Sequence, residues 1–264
     1  MTADPARAPL SEADLCAAFI VEATKDGRWT AYPETAGFDI LLVRKADGHQ
    51  IGIEAKLALN ARVVAQALPG RYGYEVGPDH RAVLVPATKR NQDLEAVCAA
   101  LGITVIVQKV YPGSTYYGSS TRGPAFDPSL PREGHEWTTR HWQEWAPLQR
   151  CPLPDYVPDV VAGASGPVAL TAWKVKAIKL LVLLGERPVT RADFKHLGLS
   201  PTNWTGRDGW LVKTETGWIA GPRTPDLRRQ HPRNFAEIEA DKARWAPPIA
   251  DQHPIRPKIQ EALL

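Results

Sequence analysis

Gly37-Phe-Asp-Ile-Leu-Leu-Val43 and Ile51-Gly-Ile-Glu-Ala-Lys56 are the stretches on which the fold turns. Both are rich in Ile, Leu and Val, and Asp47-Gly48 between them marks a tight turn. Two apolar runs joined by such a turn read as a β-hairpin, with strands over residues 38–44 and 50–57. Three charged side chains, Asp39, Glu54 and Lys56, interrupt the apolar pattern. Side chains alternate along a strand, so Glu54 and Lys56 share a side, and Asp39 lies on the strand that pairs with theirs. A charge inside an apolar strand is costly unless it is paired or binds a metal. Two readings follow: an oxygen-rich cation site, or a hairpin whose Glu54 and Lys56 form an ion pair.

Before the hairpin, Ser11-Glu-Ala-Asp14 has the form of a capping box with Asp for the usual Glu or Gln. The apolar-periodic residues after it predict a helix to about residue 23. A further strand is expected over 28–32. After the hairpin come a helix over 60–68, a strand over 81–85, a helix over 91–101 ended by Gly102, and a strand over 103–108. This order, α-β-β-β-α-β-α-β, predicts an α/β fold with a mixed sheet flanked by helices.

In this setting, GFDILLV followed by IGIEAK, behind a helix that carries Glu22, resembles the PD-(D/E)XK nuclease superfamily of restriction endonuclease-like and resolvase-like enzymes. The likeness covers about residues 11–109, with Phe38 where the family name has proline. It implies that Asp39 and Glu54, with the carbonyl of Ala55, ligate Mg²⁺ or Mn²⁺, and that Lys56 positions the attacking water. It further implies that Glu22 is an auxiliary carboxylate and that Gln66, on the following helix, supports the site. The implied activity is metal-dependent DNA endonuclease chemistry, in phage or bacterial DNA processing, resolution or defence. A non-catalytic DNA-binding or regulatory protein on a degenerate nuclease fold is the alternative.

From residue 111 to 165 Gly, Pro, Ser and Trp dominate, which predicts an irregular linker or cover with a short helix near 138–145. Trp137, Trp142 and Trp145, with His135 and His141, are expected to pack that cover onto the sheet. A helix over 170–184 follows, then short helices at 191–197 and from Ser200-Pro201, then strands at 210–213 and 218–220. That order resembles a winged helix-turn-helix. Thr202, Asn203 and Arg207 would read DNA bases, with Lys213 and Lys176 on phosphates. The expected division is a catalytic domain at 1–110, a cover at 111–165, a winged-helix domain at 166–222 and an extended basic arm at 223–264, with an amphipathic helix near 234–244.

Charge distribution agrees with a polyanion partner. Residues 166–264 carry 16 Lys+Arg against 10 Asp+Glu, whereas residues 1–110 carry 12 against 13. The expected partner is DNA, duplex or branched; assembly as a homodimer stays open. Three cysteines, Cys16, Cys98 and Cys151, show no metal-binding spacing and read as reduced thiols. No apolar run approaches the roughly 18 residues of a membrane span, and the N-terminus lacks a leader pattern, so a cytoplasmic location with no membrane partner is expected.

Overall fold

A computed structural model describes residues 11–68, 75–109, 126–132, 140–164, 169–206 and 209–247. The chain divides into two compact units, Met1–Leu170 and Thr171–Leu264.

The first unit opens with α1 (Glu12–Thr24), whose N-cap Ser11 accepts a hydrogen bond from the Asp14 amide at 3.1 Å. Then come β1 (Trp29–Thr35), β2 (Phe38–Arg44) and β3 (Gln50–Ala55). Next are α2 (Ala61–Ala67), β4 (Val76–Gly77), β5 (His80–Pro86), α3 (Gln92–Ala100), β6 (Ile103–Gln108), β7 (Phe126–Asp127) and β8 (Gln149–Arg150). Among the described residues these form a six-stranded sheet in the order β1-β2-β3-β5-β6-β7, while β4 pairs with β8. The β1-β2-β3 meander is antiparallel, β3-β5-β6 is parallel, and β7 returns antiparallel. The sheet is therefore mixed, as α/β alternation predicts.

Burial follows position in the sheet. At the edge, β1 alternates buried and half-buried residues, whereas the central β3 and β5 are buried throughout. Leu15, Ala18 and Phe19 of α1 pack with Ile40, Leu42, Ile51, Ile53 and Leu84. A separate cluster joins Val63, Val64 and Ala67 of α2 with Val83, Val85, Cys98 and Val107. Truncating a core residue such as Ile53 to Ala would cost about 2–5 kcal/mol.

Two sequence expectations are corrected here. The described parts of 111–165 pack onto the first unit as the expected cover, and what changes is the boundary, since the first unit runs to Leu170 and not to 110. Phe126 meets Phe19 edge-on at 5.1 Å, and the Trp145 indole donates to the Gly102 carbonyl at 2.9 Å. Gln50 and Cys151 exchange two hydrogen bonds, 2.9 and 2.8 Å long. Trp142 is buried and donates to the Ser129 carbonyl, and the Thr104 hydroxyl bonds the His141 carbonyl. No helix covers 140–145; residues 133–139, with His135 and Trp137, lie outside the described residues.

In the second unit, α4 (Ala172–Leu184), α5 (Arg191–His196) and α6 (Thr202–Thr205) precede a hairpin of β9 (Leu211–Lys213) and β10 (Trp218–Ala220). Its centre is Trp204, 1% exposed, flanked by Trp173, Trp210 and Phe194. Thr190 and Asp193 form a capping box at the start of α5.

The second correction is the arm. Residues beyond 222 form α7 (Leu227–Gln230), α8 (Pro232–Ala240) and α9 (Lys242–Trp245) as far as the described residues reach. Leu227, Phe235 and Ile238 are buried, α8 packs against α4, and His196 bonds the Trp245 carbonyl. Three apolar anchors at helical spacing outweigh the Arg, His and Pro that dominate the local composition. No helix among the described residues is long and apolar enough to cross a membrane.

Candidate active site

The site forms at the end of the sheet where β1 turns into β2. Glu34 and Ala36 both take left-handed backbone conformations there, with φ of 47° and 56°. Each costs about 1 kcal/mol or more for a residue with a side chain. Glu34 is held by its own carboxylate, which accepts the Gly163 amide at 2.8 Å.

Leaving the turn, the Phe38 ring lies against Gly52 so closely that a Cβ there would meet ring carbons at 2.5–2.7 Å. Glycine is the residue that permits this approach. The β2-β3 register ends at Ile40↔Ile53, and the next facing positions are Asp39 and Glu54. There the Ala55 amide donates to Asp39 Oδ2 at 2.8 Å. A side-chain carboxylate thus stands where the ladder would continue.

Glu54 is 4% exposed, and no hydrogen-bond donor reaches its carboxylate among the described residues. Burial, reinforced by the neighbouring Asp39, pushes its pKa up to about 8. Burial also raises Asp39, against the opposing pull of the Ala55 amide and the Lys56 charge. Glu34 is raised by burial too, with Asp39 adding to it.

Lys56 reaches α1. Its Nζ donates to Glu12 Oε2 at 2.6 Å, tying the strand to the first turn of the helix. Burial works against the ammonium charge, but the Glu12 hydrogen bond and the charges of Glu12, Asp39 and Glu54 overcome it and raise the pKa. Cys16, one turn along α1, is kept protonated by burial and by the negative field of Asp39, Glu34 and Glu12.

The structure thus brings Asp39, Glu54, Ala55 and Lys56 together, and adds Glu12 and Glu34. It does not bring the other two expected residues into this set. Glu22, near the far end of α1, pairs with Lys25 at 2.5 Å. Gln66 is exposed and lines a pocket with Ala36, Phe38, Arg81 and Cys151.

In the second unit, Thr202 is exposed on α6, Asn203 lies in the same helix, and Lys213 is exposed on β9. Lys176 Nζ donates to the Gly198 carbonyl at 3.4 Å. Arg207 lies outside the described residues.

Among the described residues, one group of three His, Cys, Asp or Glu side chains has ligand atoms all within 4.8 Å of one another: His49, Asp79 and Glu144. It sits at the opposite end of β3 from Glu54. Asp79 there already accepts the Gln50 amide at 2.7 Å and pairs with Arg150 at 2.8 Å. That carboxylate has donors; among the described residues Glu54 has none.

In comparisons with known proteins, no family model, no curated protein and no solved structure matches this chain.

Proposed function

We propose that this chain is a metal-dependent nuclease that hydrolyses phosphodiester bonds of DNA at Asp39, Glu54 and Lys56. Glu54 carries the reading: a carboxylate on a residue only 4% exposed, facing Asp39 across the strands, with no hydrogen-bond donor among the described residues. A buried carboxylate so placed is costly unless it stays protonated or meets a cation. The donor set fits a hard divalent ion, since Asp39, Glu54 and the Ala55 carbonyl offer only oxygen. Bound there, Mg²⁺ or Mn²⁺ would supply Lewis acidity and lower the pKa of a water.

The chain's own groups do the rest. Lys56, held protonated by Glu12, presents an ammonium to the attacking water and to charge developing on phosphorus. Asp39 accepts the Ala55 N–H hydrogen bond and so fixes the backbone of Ala55 and, with it, the direction of the Ala55 carbonyl. Water adds to phosphorus and one P–O ester bond breaks, giving an alcohol and a phosphate monoester with no covalent intermediate. In this reading the first unit is a restriction endonuclease-like core. The second is a winged helix-turn-helix, with Thr202, Asn203 and Arg207 toward bases and Lys176 and Lys213 toward phosphates.

The test is cleavage of linear, nicked, single-stranded and four-way-junction DNA, with RNA beside them, in Mg²⁺, Mn²⁺ or EDTA. Cutting of at least one DNA form that needs the ion is expected. Absence of ion-dependent cutting on every substrate overturns the proposal.

A further inference from the structure

The end of the first unit opposite the site holds a pocket of about 350 Å³ lined by Arg28, Trp29, Arg44, Lys45, Pro131 and Arg132, with Ala46. Four of these side chains are cationic and none is acidic. Two acids flank the pocket: Asp26 pairs with Arg28, and Asp47 with Arg44. The balance of these six groups is two positive charges. Lys45 is exposed and makes no ion pair among the described residues. The floor is apolar, with Trp29 buried beneath the Arg44 guanidinium at 5.6 Å. An apolar floor rimmed by Lys and Arg suits a phosphate group and its attached sugar.

Position gives the pocket its meaning. The β1–β2 hairpin has Asp39 near its turn and Arg28, Arg44 and Lys45 at its open end. Five to six residues separate them along β2, which is roughly 17–20 Å at the rise of a strand. The helix gives the same length independently. α1 has Glu12 at the site and leads through Thr24 into Arg28 and Trp29, a span of about 18 Å. At a rise of ~3.4 Å per base pair, that distance is about five to six base pairs.

We propose that this pocket holds a backbone phosphate of the same nucleic acid whose scissile bond lies at Asp39 and Glu54, about five to six nucleotides away. The inference rests on the nuclease reading for its bridging geometry. It gives the first unit, slightly acidic in total, a cationic foothold on a polyanion.

The experiment uses the full chain and the double variant Lys45→Glu with Arg132→Glu; Lys45→Gln serves as a milder substitution should the double variant fail to fold. Affinity for a 20-base-pair duplex is measured in EDTA across a salt series, and KM and kcat are measured with Mn²⁺ on a 20-mer and a tetranucleotide. A tenfold or greater loss of duplex affinity is expected, with the salt slope flatter by about 2. KM for the 20-mer should rise as much at constant kcat, and the tetranucleotide, too short to bridge, should be cut equally by both proteins. If the native chain cuts DNA but the variants match it in affinity and KM, the pocket inference is overturned and the nuclease reading survives. If the native chain cuts nothing while the variants still lose duplex affinity, the nuclease reading and the bridge fail together. If inorganic phosphate raises the Tm of the native chain but not of the variants, and duplex affinity is unchanged, the ligand is a free phosphate and the nucleic-acid assignment falls.

Discussion

Lys56, the residue after β3, and Glu12 on α1, 44 residues apart in the chain, meet through a 2.6 Å hydrogen bond between Nζ and Oε2. The pair decides which carboxylate of α1 belongs to the site. Glu12→Gln should lower the rate of metal-dependent cleavage about tenfold, because Lys56 loses the group that orients it and sustains its charge. Glu12→Asp should recover part of the rate. Glu22→Gln, which removes a carboxylate paired with exposed Lys25, should leave the rate unchanged. The check is single-turnover cleavage by the three variants; equal losses in Glu12→Gln and Glu22→Gln would contradict the assignment.

Glu54 should make stability depend on pH in an unusual direction. Its pKa is raised from an ordinary 4.5 to about 8, so between those values the folded chain binds a proton more tightly than the unfolded one. Stability therefore falls as pH rises from about 4.5 to about 8, and the penalty is complete above that. Glu54→Gln, uncharged throughout, should raise the metal-free Tm by several degrees at pH 9 and leave it nearly unchanged at pH 4.5. Thermal melts across that range check this, and a larger gain at pH 4.5 than at pH 9 would refute it.

Ion binding should follow the same group. Mn²⁺ must displace the Glu54 proton, so affinity should climb up to tenfold per pH unit below about 8 and level off above it. Calorimetric titrations at several pH values measure this. A pH-independent affinity would place the ion elsewhere, the His49–Asp79–Glu144 group included.

Gly52→Ala should cost about 1–3 kcal/mol, because the new methyl would meet the Phe38 ring at 2.5 Å. Relief must come from moving Phe38, the neighbour of Asp39, so cleavage should fall along with Tm. Chemical denaturation and rate measurements on one preparation test the coupling; a destabilised variant with native activity would break it.

Much of the first unit was legible because its signals are local. The Asp47-Gly48 turn, the apolar runs around Asp39 and Glu54, and helix-ending Gly102 mark their elements without reference to the rest of the chain. The site was only partly legible. The resemblance points to Glu22 and gives Glu12 no role, yet the short link from Thr24 to Trp29 ties the end of α1 to the start of β1. That runs the helix antiparallel to the strand and lays Glu12, not Glu22, over the β1–β2 turn. Glu34 was missed because its role depends on a left-handed backbone and on Gly163, 129 residues away. Beyond residue 222 the helix expected near 234–244 is present as α8 and α9, whereas α7 and the packing of the segment are obscured by composition, since Leu227, Phe235 and Ile238 are few among many charges.

The most direct test is single-turnover cleavage of DNA in Mn²⁺ by the native chain beside Asp39→Asn, Glu54→Gln and Lys56→Ala, each confirmed folded by its melt. The account predicts ion-dependent cutting by the native chain and a loss of about a hundredfold or more in every variant, since each removes an ion ligand or the transition-state cation. Native-like cutting by Glu54→Gln, or equal cutting by the native chain in EDTA, would contradict it.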